Sequence, residues 1–254
     1  MNIYSSIPFL RGIELDRDRV PTFDSYPFNL GVIQSLGSLE FHPKVTYIVG
    51  ENGMGKSTLM ESIAVAWGFN AEGGTQNFSF STQSTHSNLH EFIRLIRGLH
   101  RPRDGFFFRA ESYYNLATDI ERLDKEASFG PPIIDSYGGK SLHEQSHGES
   151  FFATFIHRFG GQGLYILDEP EAALSPLRQM AMLARIHDLV QKNSQFIIST
   201  HSPILMAYPD SIIYNLTPQG METMILEETD HYMIMKQFLN NKDKMLKQLF
   251  DSGE

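Results

Sequence analysis

Cysteine is absent from the 254 residues, which excludes a disulfide framework and any thiolate metal site. No stretch approaches the roughly 18 consecutive apolar residues of a membrane span, so no direct membrane insertion is expected. Met1 to Arg11 lack the long apolar core of a signal peptide, and the expected localisation is cytoplasmic. Positive charge is in deficit: 21 Lys and Arg stand against 30 Asp and Glu, a formal net charge of −9. A surface that binds nucleic acid all over is therefore excluded, because phosphate binding needs a basic footprint; a local patch is not. Internal repeats and low-complexity linkers are also missing.

What remains is ordinary globular material, with 41% hydrophobic and 20% charged residues, long enough to bury a full core. Phe9 to Pro43 alternates apolar and polar residues between turn formers and reads as antiparallel strands and loops. Val45 to Val49 reads as a buried strand. Ser57 to Phe69 reads as a helix with Leu59, Met60, Ile63, Ala64 and Trp67 on one face. A polar segment, Asn70 to Ser87, follows. The next expectations are a helix over Asn88 to Leu99, a strand over Gly105 to Ala110 and a helix over Ser112 to Leu123. Gly130 to Gly139 reads as a loop, and Ser150 to Phe159 as a helix. Strand and helix then alternate through Leu164 to Leu167, Pro176 to Gln191 and Gln195 to Ser199, which implies a parallel sheet with helices on its faces. Ser211 to Leu226 reads as a hairpin and His231 to Phe250 as one polar helix.

Gly50-Glu51-Asn52-Gly53-Met54-Gly55-Lys56-Ser57 has the spacing of a phosphate-binding loop and lies between an expected strand and an expected helix. Its glycines let backbone N–H groups turn inward around phosphate oxygens. The helix start, including Thr58, offers unpaired N–H groups. Lys56 supplies a compact charge for the outer phosphates, and the Ser57 hydroxyl is placed to ligate Mg²⁺. Downstream, Leu164 to Leu167 runs into Asp168-Glu169. That places two carboxylates at the edge of the sheet where ligands of open α/β sheets bind. Asp168 is expected to hold Mg²⁺, and Glu169 to orient or deprotonate the attacking water.

Three further motifs bear on the class. Ser146-His147-Gly148-Glu149 precedes an expected helix, Pro170 to Pro176 follows the acidic pair, and Phe196 to Ser199 ends in Thr200-His201-Ser202-Pro203. Together with the phosphate loop these resemble the signature motif, D-loop and switch histidine of the ABC ATPases. The wording is close to SMC/RecF-like and overcoming-lysogenization-type soluble members. Tyr137 to Gln145 and Arg103 to Phe107 resemble a group of short, stand-alone bacterial ATPases of the predicted AAA or ABC type. The resemblance runs from about Leu36 to about Tyr214.

That resemblance implies a single α/β domain over 1–254: a P-loop NTPase of ABC-ATPase type. It has a mixed, largely parallel sheet core, an antiparallel β layer and a helical lobe over roughly 70–150. It also implies ATP with Mg²⁺, hydrolysis, and a head-to-tail homodimer. In that dimer Ser146, Gly148 and Glu149 of one chain meet the ATP held by the other, and His201 reaches the γ-phosphate. No guanine-reading Asn-Lys-x-Asp motif is present, and ATP rather than GTP follows from the resemblance.

Departures are visible. Gln145 and His147 stand where transporter subunits prefer Leu and Gly, and Ser175 where they usually have Asp. The glutamine linking Mg²⁺ to the partner-contacting region is not obvious; Glu111 and Gln83 are the candidates. Phe23 and Tyr26 are candidates for stacking on adenine. The stretch Ser112 to Glu144 is too short for the coiled coil of SMC-like repair ATPases. Arg94, Arg97, Arg101 and Arg103 form either a patch for DNA, RNA or an acidic partner or a solvated helix face. His86 and His90 have helical metal spacing but no third ligand. The C-terminal apolar residues from Met233 to Leu249 read as core packing or a docking surface.

The leading expectation is a soluble ATPase that drives or switches a nucleic-acid or protein partner. The alternatives are the ATPase subunit of a membrane transporter, and a slow nucleotide-gated interaction module.

Overall fold

The computed structural model describes residues 8–75, 87–125, 131–144 and 147–251. The alternating start produces β1 (Leu10–Leu15), followed by α1 (Gly31–Ser35), β2 (Ser38–Glu40), β3 (Val45–Gly50) and α2 (Lys56–Trp67). Strand β3 is buried at every position, as a short β-branched run between helical layers should be. Helix α2 starts where the glycine-rich loop ends and stops at Gly68, a C-terminal residue in left-handed conformation.

The helix expected over Asn88 to Leu99 does not form. A 3₁₀ turn spans Asn88–Phe92, and Ile93–Arg97 is strand β4, paired antiparallel with β1 from Leu15↔Ile93 to Leu10↔Arg97. Five residues are too few for a helical period to be told from an alternating one, and an available partner strand decides such cases. The arginines of this segment are engaged. Arg94 pairs with Glu14 at 3.0 Å, and the Arg97 guanidinium lies 4.6 Å from the centroid of the Trp67 ring. The His86–His90 pair has no helix to set its spacing from residue 88 onward, and His86 lies outside the described residues.

Next come β5 (Asp104–Arg109), α3 (Tyr113–Lys125), α4 (His147–His157), β6 (Gly163–Asp168), α5 (Pro176–Gln191), β7 (Gln195–Ser199) and α6 (Pro203–Met206). The chain continues through hairpin strands β8 (Ile212–Thr217) and β9 (Gly220–Met224), then α7 (Asp230–Asn240) and α8 (Lys242–Asp251). Two corrections follow. The segment 70–150, expected as a mostly helical lobe with one strand over Gly105 to Ala110, supplies two strands, β4 to one sheet and β5 to the other. The C-terminal helix is two helices broken at Asn241, where two successive asparagines have weak helix propensity. The loop expected over Gly130 to Gly139 contains a 3₁₀ turn, Ile133–Tyr137.

The large sheet has the order β5-β6-β7-β3-β8-β9, with its first five strands parallel and β9 antiparallel to β8. The small antiparallel sheet has the order β2-β1-β4. Successive β3 residues face opposite cores. Val45, Tyr47 and Val49 join a cluster with Phe155, Ile186 and Leu189 of α4 and α5, while Ile48 joins Leu59 and Ile63 of α2 and Ile13 of the small sheet. The parallel sheet is thus covered on one face by helices α3, α4 and α5, and on the other by α2 and the antiparallel layer. This is the α/β architecture expected, and it leaves the carboxyl ends of β3, β6 and β7 as one edge. Among the described residues no helix is long and apolar enough to cross a membrane.

Candidate functional site

The edge is built from three adjacent strands. β3 delivers Gly50 and the loop to Lys56, β6 delivers Asp168 and Glu169, and β7 leads through Ser199 and Thr200 to His201. Gly50, Gly53 and Gly55 have φ of 140°, 81° and 91°; a side chain is strained at such angles, and glycine is not. Lys56 folds back inside the loop. Its Nζ donates to the carbonyls of Gly50 at 2.9 Å and Glu51 at 3.0 Å, and only 4% of the residue is exposed. Burial lowers its pKa, opposed by the carboxylates of Glu169, Asp168 and Glu171. Asn52 and Gly53 stand exposed at the crest of the loop.

Asp168 is 3% exposed and receives hydrogen bonds from two serines. Ser57 Oγ lies 3.3 Å from its Oδ1, and Ser199 Oγ donates to the same oxygen. Burial raises its pKa against those bonds and against Arg109. Arg109 ends β5 in register with Asp168. Its Nη1 binds Glu61 Oε2 at 2.6 Å, while its Nε stands 4.0 Å from Asp168 Oδ2 and makes no hydrogen bond. A buried carboxylate whose neighbours are a hydroxyl of the phosphate loop and a distant guanidinium fits a small hard cation with oxygen ligands. Ser57 and Asp168 are the residues that would hold Mg²⁺.

Glu169 has φ of 49°, unusual for a residue with a side chain. Its N–H donates to both the carbonyl and the hydroxyl of Ser199 at 3.1 Å, which fixes the turn. Strain of this kind persists where surrounding bonds over-determine it, and it concentrates at functional sites. Here it swings the carboxylate to within 3.4 Å of His201 Nε2. That contact is too poorly aligned for a hydrogen bond, and Nε2 is buried without one. The His201 N–H donates to Glu171 Oε1 at 2.6 Å, and Nδ1 meets His231 Nε2 at 2.8 Å. Burial and then Lys56 lower the His201 pKa, against the pull of Glu169.

The structure therefore brings together Gly50 to Thr58, Asp168, Glu169 and His201. Gly148 and Glu149 sit elsewhere. A Cβ on Gly148 would lie 2.5 Å from the Ala173 carbonyl oxygen, and Glu149 Oε1 is 3.7 Å from Arg178 Nη2. They contact the segment that follows the acidic pair. Ser146 lies outside the described residues, as does Gln83. The other candidate for its role, Glu111, is exposed and binds Arg109 at 3.3 Å. Of the two aromatic candidates, Tyr26 is exposed with its hydroxyl 3.1 Å from Thr58 Oγ1. The Phe23 ring is covered by the Arg17 guanidinium at 4.7 Å. Sequence reasoning missed Ser199, Arg109, Glu171 and His231. Ser199 is legible in the sequence as the residue that ends a strand two positions before His201; the other three depend on pairings that only the folded chain shows.

Two family models match the chain. One is described as "AAA domain" over residues 28–126, and the other as "AAA domain, putative AbiEii toxin, Type IV TA system" over residues 84–207. The first spans the phosphate loop, the second Asp168, Glu169 and His201. No curated protein matches. Among solved structures, a metal-chelate-type ABC transporter in an inward-facing conformation matches at 17% identity. It has a TM-score of 0.46, with 91% of this chain and 86% of that one covered. An SMC head bound to the C-terminal winged-helix domain of ScpA matches at 14% identity and TM-score 0.44, covering 85% and 98%. An SMC head domain from Thermotoga maritima matches at 17% and 0.37, covering 74% and 92%.

Proposed function

We propose that this chain, which two AAA-domain models match, is a P-loop ATPase of the ABC/SMC type that binds ATP with Mg²⁺, hydrolyses it, and works as an ATP-dependent head-to-tail homodimer that drives or switches a nucleic-acid or protein partner. The observation that carries this reading is the convergence of Lys56, Ser57, Asp168, Glu169 and His201 at one sheet edge. Lys56, already desolvated, offers its charge to the outer phosphates at full strength. Loop N–H groups from Gly50 to Thr58 cradle the phosphate chain. Mg²⁺, held by Ser57 and Asp168, supplies charge neutralisation on the phosphate oxygens when bound. Glu169 orients the attacking water and takes its proton, and His201 Nε2 donates to the γ-phosphate as negative charge builds there. Gly148 and Glu149, with Ser146, serve the nucleotide of the partner chain. Gly148 and Glu149 pack in their own chain against Ala173 and Arg178, away from Lys56 and Asp168, which is compatible with this division.

ATP turnover and solution mass test the reading together, on the wild type and Glu169→Gln, with and without ATP and Mg²⁺. The expected result is turnover in the wild type only, and a Glu169→Gln protein that is dimeric with ATP and monomeric without it. If both proteins bind ATP and neither turns over nor dimerises, the chain is a nucleotide sensor and the motor reading is wrong.

A further inference from the structure

His231 stands outside every motif, on the first turn of α7, yet its Nε2 is 2.8 Å from His201 Nδ1, with the rings inclined at 59°. Helix α7 is placed by its own cap: the Thr229 side chain accepts the Tyr232 N–H at 3.3 Å, and Thr229 itself is buried. The helix also walls a cavity of about 630 Å³ whose opposite side is Gly50, Glu51 and Met54 of the phosphate loop. The C-terminal helices therefore meet the nucleotide edge at two places, the loop and the switch histidine.

Two imidazoles at this separation share one proton along the contact, so one ring donates and the other accepts. Burial and the nearby Lys56 charge lower the pKa of both rings, which makes the neutral forms the relevant ones. A neutral imidazole carries a single N–H. If His201 Nδ1 donated to His231, the bare Nε2 lone pair of His201 would face the Glu169 carboxylate at 3.4 Å, two acceptors with no proton between them. If His231 Nε2–H donates instead, the His201 proton resides on Nε2, on the edge of the ring that faces Glu169 and the site. Only this second arrangement leaves a donor where a γ-phosphate oxygen must be met.

We propose that His231 is a positioning residue: by donating from Nε2 to His201 Nδ1 it holds the switch histidine in the Nε2–H tautomer and in the ring orientation that aims this N–H at the γ-phosphate. The hydrogen-bonding role of the pair is a statement about these two residues; its catalytic consequence rests on the ATPase reading above. An orienting partner on the far nitrogen of a functional imidazole fixes both tautomer and angle, and loss of such a partner costs about 10- to 100-fold in function.

Two variants and two readouts test this. His231→Phe keeps a flat ring and removes the donor. His231→Gln keeps an amide N–H near the position of the imidazole Nε2. In the ¹⁵N spectrum of histidine-labelled protein, the wild type should show a bare, hydrogen-bonded Nδ1 and a protonated Nε2 on His201, with a ¹⁵N–¹⁵N coupling through the bond to His231. His231→Phe should shift the Nδ1 resonance, and His231→Gln should leave it close to wild type. In steady-state turnover His231→Phe should lower kcat by about 10- to 100-fold with the KM for ATP within about twofold, and His231→Gln should recover most of it. A wild-type His201 protonated on Nδ1, or a His231→Phe protein with unchanged resonances and kcat, overturns the proposal. So does an equal loss of kcat in both variants with an unchanged His201 spectrum, which is the mark of a merely structural residue. If the coupling is present and responds to His231→Phe in a wild type that does not turn over ATP, the positioning bond stands and the ATPase reading falls.

Discussion

Ser199→Ala removes one hydroxyl that makes two hydrogen bonds in the candidate site, of which only the one to Asp168 has no substitute. The Ser199 hydroxyl donates to Asp168 Oδ1 and accepts the Glu169 N–H at 3.1 Å. Alanine fits the strand position, since Ser199 is fully buried and loses only one oxygen. Asp168 keeps the Ser57 hydroxyl at 3.3 Å. Glu169 keeps the Ser199 carbonyl at 3.1 Å, so its turn survives. The loss is one bond to a buried carboxylate, worth about 1.5–3 kcal/mol when the acceptor is ionised. Part of it should appear in stability, about 1–2 kcal/mol, or roughly 2–4 °C in Tm for each kcal/mol in a chain of this size. The larger share should appear in cation binding. An Asp168 less firmly oriented should raise the Mg²⁺ concentration for half-maximal turnover by about 10- to 100-fold. The assay is a Mg²⁺ titration of ATP turnover at saturating ATP, with kcat read at the plateau. At the plateau kcat should stay within about threefold, because Glu169 is still held. An unchanged Mg²⁺ requirement with a collapsed kcat would refute the reasoning, and would place the effect of Ser199 on Glu169 instead of Asp168.

Gly148→Ala would force a Cβ to 2.5 Å from the Ala173 carbonyl oxygen. We expect a loss of about 1–3 kcal/mol in thermal unfolding, and a fall in kcat larger than the stability loss explains. Lys56→Ala should weaken ATP binding, followed by calorimetry, by at least about 10-fold through loss of charge-assisted bonds. Asp104 accepts from Arg158 at 2.9 Å, Tyr165 at 2.8 Å and the Gly160 N–H at 3.1 Å. Burial would raise its pKa, but Arg158 and these bonds outweigh it and the net shift is downward. A carboxylate depressed in the folded state stabilises above its unfolded pKa of about 3.9, and the contribution disappears as pH falls through the folded value. Asp104→Asn should therefore be about 1–2 kcal/mol less stable at neutral pH, and denaturant melts should show the gap closing only below about pH 4.

The parts of the fold legible from the sequence are those specified by neighbours in the chain. The phosphate loop is a local turn closed by glycines with positive φ, and β6 carries its two carboxylates on consecutive residues. Those features need no tertiary information. β4 failed as a prediction because Ile93–Arg97 takes its conformation from β1, about eighty residues earlier. His231 is thirty residues from His201 and on another element; an exposed-looking polar helix start gives no sign of what its second residue faces. The break at Asn241 follows from two successive asparagines of weak helix propensity, inside a stretch whose composition otherwise reads as one polar helix.

The position of β3 in the sheet also bears on how this chain is made. Its two neighbours are β7 and β8, which follow it by about 150 residues or more. Until residues beyond about 199 have left the ribosome, the strand that carries the phosphate loop has no neighbour on either side, and until about 217 it has one only. An apolar segment, Val45–Gly50, must then wait unpaired while about 150 further residues are made. Pairings of such long sequence separation form slowly and leave nascent chains prone to association. A truncated or stalled product ending before β7 would carry the complete glycine-rich motif and no folded site. Chaperone dependence during synthesis, rather than stability once folded, would then limit how much active protein a cell recovers.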